Sequence, residues 1–203
     1  MGTRRATGGI GFVISVEQST LSVSCITVAF MAIYALGDIV PEIHPSAFIH
    51  PQCTIIGSVR IGADSSIWPH AVIRGDEPEQ IVIGERTSIQ DGAVIHATAE
   101  CTTVVGNDCV IGHLAHLEAC TIEDGSLVGS NSVVLHRAIV CTGALVGAGA
   151  LVPNDMIVPS GAMALGVPAK IRPDSVSEEM LRDSASVYVD RNVRYRAELR
   201  RID

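Results

Sequence analysis

The sequence predicts an all-β solenoid, a parallel β-helix followed by one C-terminal α-helix. Aliphatic residues recur at every sixth position over long blocks of the chain. The chain is 47% hydrophobic but only 3% aromatic, so the core has to be built from Val, Ile, Leu and Ala. A helix-start pattern follows the last repeat. Repetition of this kind indicates a solenoid with a separate cap rather than an irregular globular fold.

The six-residue period is clearest in the second half of the chain. From Ile122 to Val158 every sixth residue is aliphatic, and a small residue such as Ser126 or Ala144 often follows four positions later. An α-helix would need a period of 3.6 and few glycines or β-branched residues. A period of six suits a three-sided β-helix with one short strand on each side. The same phase continues upstream in shorter blocks, at Ile55, Ile61, Ile67 and Ile73, at Ile83, Ile89 and Ile95, and at Val105, Ile111 and Leu117.

Two longer steps interrupt the repeat, from Ile73 to Ile83 and from Ile95 to Val105. Each step is one hexad with an insertion, which predicts loops at about residues 76–80 and 97–102. The step from Leu117 to Ile122 is one residue short.

Counting three blocks as one coil predicts which residues stack. Ile73, Ile95 and Leu117 should lie on one side of the prism, with neighbouring coils about 4.8 Å apart. The residues that follow them then point outward as a ladder, which consists of Arg74, His96 and Glu118. On the next side, Asp91 and His113 should stack near a corner, with Gln90 beside them.

The domain organisation follows from these patterns. Residues 1–35 are expected to be an apolar leader outside the fold, either a signal peptide or an extension upstream of a start at Met31. Residues 36–173 are expected to form the β-helix. Residues 174–203 should form a helix that packs back on it, because Ser175 and Glu178 match a capping box. The face of that helix is predicted to include Val176, Met180, Leu181, Val187 and Tyr188.

Charge and cysteine spacing exclude several classes of protein. A net charge of −8 argues against nucleic acid as the main partner. The apolar leader is short for a membrane span, so no membrane partner is expected. The six cysteines form no C-x-x-C pair, which predicts neither a zinc ribbon nor a disulfide framework. Reduced cysteines fit a cytoplasmic protein.

Three segments carry a resemblance to a known family: IWPHAVIRGDE (67–77), TSIQDGAVIHA (87–97) and IGH (111–113). With ALVGAGALV and ALGVPAKIRP further on, the chain from about residue 39 to 173, together with the terminal helix, resembles the γ-class carbonic anhydrases. The resemblance implies a left-handed β-helical homotrimer with Zn²⁺ or Fe²⁺ between subunits. The implied activity is reversible hydration of CO₂ to bicarbonate by a metal-bound hydroxide.

The resemblance also implies the metal ligands. The first two family histidines match His96 and His113, and the third family position is Glu118 here. Two histidines and one carboxylate form a known catalytic zinc set and also suit iron. One subunit would supply His96 and Glu118, and its neighbour His113. His116 stays open as an alternative third ligand, although the hexad count places it out of phase.

The remaining family positions imply supporting roles. Arg74 matches an arginine expected in a subunit-contact ion pair, and Asp76 an aspartate that orders the site. Gln90 and Asp91 match residues that position the water on the metal, and Glu77 matches a glutamate of the same stretch.

Two rival interpretations remain. A hexapeptide acyltransferase would use a histidine as general base and a cleft between coils for acyl-coenzyme A, with no metal. An inactive metal-binding or scaffold protein is supported by Glu118 and by Ala99, which replaces the family's proton-shuttle glutamate. The other histidines are expected to be ordinary surface residues: His44, His50, His70 and His136.

Overall fold

A computed structural model describes residues 32–78 and 80–203 and shows the predicted left-handed parallel β-helix, with about seven coils. Three sheets form the three sides, and each coil contributes one short strand to each sheet. All strand pairs in the described residues are parallel except the last pair of the third sheet, in which Met163–Leu165 runs antiparallel to Lys170–Arg172. The period of six is therefore the length of one side of the prism.

The strands of the first sheet are β1 Ala32–Tyr34, β4 Thr54–Gly57, β7 Val72–Gly75, β10 Val94–His96, β13 His116–Glu118, β16 Val133–Val134 and β19 Leu151–Val152. Those of the second sheet are β2 Glu42–Ile43, β5 Val59–Ile61, β8 Ile81–Ile83, β11 Val104–Val105, β14 Thr121–Ile122, β17 Ile139–Val140 and β20 Ile157–Val158. Those of the third sheet are β3 Phe48–Ile49, β6 Ser66–Ile67, β9 Ser88–Ile89, β12 Val110–Ile111, β15 Leu127–Val128, β18 Leu145–Val146, β21 Met163–Leu165 and β22 Lys170–Arg172.

The core is a set of aliphatic columns inside the prism. Ile95 pairs with Ile73 on one neighbouring coil and with Leu117 on the other, which confirms the predicted stacking. All three side chains are fully buried. Burial of each such side chain stabilises the fold by about 1.5–3 kcal/mol.

Glycine stands where the backbone of the next coil comes closest. A Cβ on Gly62 would lie 2.6 Å from the carbonyl carbon of Gly84. A Cβ on Gly84 would lie 2.5 Å from the carbonyl carbon of Gly106. This column therefore excludes side chains, which explains why glycine so often follows the inward aliphatic residue.

The β-helix begins earlier than the predicted boundary at residue 36. β1 pairs in parallel with β4, with Ile33 opposite Ile55, so residues 32–34 belong to the first sheet. The rest of the predicted apolar leader, residues 1–31, lies outside the described residues. Nothing helical in the described part of the chain combines the length and hydropathy that crossing a membrane requires. The five cysteines in that part are all free.

The C-terminal helix, α1, spans Glu178–Glu198. Its N-cap is Ser177, whose side chain accepts a hydrogen bond from the backbone N–H of Met180, so the predicted capping box at Ser175 is wrong. The hydroxyl of Ser175 donates instead to the carbonyl of Pro173, 2.9 Å away. The cap thus begins two residues later than the sequence pattern indicates.

The buried face of α1 also differs from the predicted one. Leu181, Ala185 and Asn192 are buried, whereas Met180 and Val187 are exposed. The difference arises because α1 lies along the third sheet, where it contacts β3, β6 and β9.

An aromatic cluster fixes the second half of α1 to the first coils. The rings of Tyr188 and Tyr195 pack edge-on against Trp68, with centroids 6.0 and 4.9 Å away. The Asn192 side-chain amide donates to the carbonyls of Ser46 and Ser65, at 3.3 and 3.2 Å. The chain's single Trp and two of its three Tyr thus hold the helix in place.

We expect Gly84→Ala to lower the free energy of unfolding by about 1–3 kcal/mol, because its methyl group would overlap the backbone of the next coil. Gly149→Asn is the matched control, since Gly149 has φ +68 with open space around a Cβ, and Asn tolerates this conformation. Guanidinium unfolding followed by circular dichroism at one protein concentration measures both. Equal losses in the two variants would contradict the close-approach explanation.

Candidate functional site

The outward face of the first sheet carries the predicted ladder. His96 on β10 lies opposite Arg74 on β7 and opposite Glu118 on β13. Because the buried residues Ile73, Ile95 and Leu117 point inward, the residue after each points outward. The core register therefore brings together side chains about 22 residues apart in the sequence.

His96 lies between two carboxylates. Its Nε2 is 2.9 Å from Oδ1 of Asp76, and its Nδ1 is 3.1 Å from Oε1 of Glu118. An imidazole can donate to both carboxylates at once only in its doubly protonated form. The arrangement therefore places a carboxylate oxygen at each ring nitrogen of His96.

Glu118 also contacts two further histidines, which the sequence pattern did not place near it. Its Oε2 is 3.3 Å from Nε2 of His116 and 3.6 Å from Nε2 of His136. The expectation that His116 is out of phase is wrong, because His116 and Glu118 are two residues apart on β13 and share its outward face. Strand alternation could have revealed His116. His136, predicted to be an ordinary surface residue, reaches Glu118 from the next coil.

Hydrogen bonding lowers the pKa of both carboxylates. A hydrogen bond from His96, supported by His116 and His136 and opposed by partial burial, lowers the pKa of Glu118. Burial alone would raise the pKa of Asp76, but hydrogen bonds from His96, the backbone and Arg74 outweigh it and lower that pKa. Both acids are therefore ionised at neutral pH.

A second histidine–carboxylate pair stands at the corner between the third and first sheets. Nδ1 of His113 lies 2.9 Å from Oδ2 of Asp91, one coil away, as the predicted stacking requires. The His113 side chain is 51% exposed, so it can be reached from outside the chain. Gln90, the residue before Asp91, is buried.

The remaining predicted site residues are Arg74, at one end of the ladder, and Glu77. Arg74 forms an ion pair with Asp76 of its own chain. That contact is within the subunit, whereas the resemblance implies an ion pair between subunits for Arg74. Glu77 lies in the loop after β7.

Two of the predicted ligands have a spacing that suits a metal ion, but the described residues of one chain do not complete a site. Two ligands that each lie about 2.0–2.2 Å from a tetrahedral ion are about 3.3 Å apart, and His96 Nδ1 and Glu118 Oε1 are 3.1 Å apart. Within the described residues of one chain, however, no three His, Cys, Asp or Glu side chains are arranged to hold an ion.

Comparisons with known proteins identify the family. A family model described as bacterial transferase hexapeptide (six repeats) matches residues 41–75. The carnitine operon protein CaiE of Proteus sp. (strain LE138) is 37% identical over 168 residues, which are 82% of this chain and 85% of that protein.

Two solved structures share the fold over most of their length. A Bacillus cereus protein assigned as an acetyltransferase is 33% identical, with a TM-score of 0.79 over 81% of this chain and 96% of that one. A hexapeptide transferase family protein from Anaplasma phagocytophilum is 36% identical, with a TM-score of 0.77 over 81% of this chain and 98% of that one. The chain therefore belongs to the γ-carbonic anhydrase-like hexapeptide-repeat superfamily, together with CaiE.

Proposed function

We propose that the protein is an acyltransferase that moves an acyl group from a coenzyme A thioester to a small amine or hydroxyl acceptor, with His113 as general base. The observation that carries the proposal is the 2.9 Å contact between His113 Nδ1 and Asp91 Oδ2. A carboxylate on one ring nitrogen leaves the other free to take a proton. The named transferases among the similar structures support this reaction class.

The chemistry needs two proton transfers at one nitrogen. Nε2 of His113 takes the proton of the acceptor while the acceptor's nitrogen or oxygen attacks the thioester carbonyl carbon. The carbon–sulfur bond then breaks, and the departing thiolate takes the proton from the imidazolium. Asp91 holds the ring in the tautomer that this cycle requires and stabilises the imidazolium.

We place this reaction between copies of a homotrimer. Leu114, next to His113, is 60% exposed, and Val94, beside the ladder, is 37% exposed. Packing of a neighbouring copy against these apolar side chains would remove them from water and enclose His113. The loops that interrupt the coils, residues 76–80 and 97–103, are short, which favours a small acceptor.

We expect purified protein to release free thiol from acetyl-coenzyme A when a suitable acceptor from a panel of small amines and alcohols is present. His113→Ala should lower kcat by about 10²–10⁴-fold, because it removes the general base. Asp91→Asn should lower kcat with little change in KM for the thioester. A thiol-reactive dye measures the release.

His44→Gln is the matched control, because His44 is exposed and hydrogen-bonds Ser46 rather than the dyad. A loss in His44→Gln equal to that in His113→Ala would contradict the role of His113. Thiol release that is absent with every acceptor would contradict acyl transfer.

Metal-dependent hydration of CO₂ is the second candidate, favoured by the approach of His96 to Glu118. His96 and Glu118 of one chain and His113 of a neighbouring copy would hold the ion, with Asp91 fixing the orientation of His113. A bound Zn²⁺ or Fe²⁺ would supply the Lewis acidity that activates water for attack on CO₂. Glu118 adds negative charge where a neutral histidine would stand, so hydration by this set should be slow.

For this candidate, titration with Zn²⁺ should show about one tight site per chain, and Glu118→Ala or His96→Ala should weaken it by at least about tenfold. Mixed trimers of His96→Ala and His113→Ala chains should regain part of the binding, since some interfaces then contain both native histidines. Isothermal titration calorimetry measures each protein.

Binding that His116→Ala removes and Glu118→Ala leaves intact would contradict this ligand set. Tight binding with neither thiol release nor CO₂ hydration would favour the scaffold interpretation over both enzymes.

A further inference from the structure

A large groove lies between the first half of α1 and the corner that joins the second sheet to the third. Its volume is about 790 Å³, which is within the range of pockets for small molecules. Leu181, Ala185 and Val189 line its helix side. Leu181 and Ala185 are almost completely buried, so this wall is fixed by packing.

Three glycines keep part of the opposite wall free of side chains, beside Thr142 and Ser160. Gly125, Gly143 and Gly161 occupy the same corner on successive coils, each with φ between +66 and +68. A Cβ at any of them would meet nothing within 4 Å. With coils about 4.8 Å apart, the three glycines form a floor about 10 Å long.

The rim of the groove is negatively charged. Two arginines and four carboxylates line it, which gives a net charge of −2. Arg86 is bound by both oxygens of Asp108, at 2.7 and 2.9 Å, so these two charges cancel. The remaining charged groups are one arginine and three carboxylates: Arg182, Asp124, Glu178 and Asp190.

We propose that this groove binds a small aliphatic cation, an ammonium group with an apolar body. The body would lie between Val189, which is only partly buried, and the glycine floor, where burial of apolar surface contributes about 25 cal/mol per Å². The ammonium would lie at the acidic rim, whose net charge disfavours an aliphatic anion of the same size. The site is separate from the histidine–carboxylate ladder and does not depend on the proposed reaction.

Titration calorimetry of the full chain with hexyltrimethylammonium, and with hexanesulfonate as the anionic match, tests the proposal. We expect saturable binding of the cation at about one per chain and at least tenfold weaker binding of the anion. Ser186→Trp should abolish binding by filling the groove. Asp190→Asn should weaken it about threefold or more, and Asp183→Asn, on α1 but outside the groove, should leave it within twofold.

Equal affinity for cation and anion would overturn the proposal, as would cation binding that survives Ser186→Trp. The proposal would also be overturned if neither the native protein nor Asp183→Asn bound the cation saturably. If Ser186→Trp changes the mass of the assembly in solution, the groove holds a second copy of the chain, and the proposal fails.

Discussion

In-register stacking of inward aliphatic side chains is the constraint on which the rest of this structure depends. Each coil hydrogen-bonds to the next, and the column through Ile73, Ile95 and Leu117 fixes their relative positions. A slip of one residue would turn every inward side chain outward. Contacts such as His96–Glu118 and Asp91–His113 are therefore consequences of core packing, because each joins residues 22 apart through a register that the aliphatic columns set.

The glutamate at the third family position changes what the ladder can do. A carboxylate offers about four acceptor positions, and Glu118 uses them for imidazoles of its own coil and of both neighbouring coils. A neutral histidine at this position could not attract three imidazoles in this way. Glu118 thus accepts contacts from three surrounding histidines, and hydrogen bonding to them lowers its pKa.

The sequence predicted the elements that a strict repeat controls and missed those that depend on local geometry. The hexads gave the three sides, the stacked pairs and both loops, because one inward residue per side leaves little freedom. His116 was missed because the count followed only the residue after each inward aliphatic residue, whereas His116 precedes Leu117 on the same strand. His136 was missed because it lies two residues past Val134, beyond the end of β16, where the repeat does not set the direction of a side chain. Ala119, with φ 51, makes the tight corner after Leu117. The β1 strand had a readable signal, since Ile33 precedes Ile55 by the same 22 residues that separate Ile73 from Ile95.

The placement of α1 separates the two sites of the molecule. Large aromatic side chains hold the helix to β3, β6 and β9 on the first coils. Further along, three glycines occupy the corner, and the groove lies between them and the first half of α1. All of these contacts lie on the third sheet and its corner with the second, so α1 does not cover the ladder on the first sheet. That face, with its exposed Val94 and with His113 and Leu114 at its edge, is consequently available to another copy, while the groove on the far side stays open.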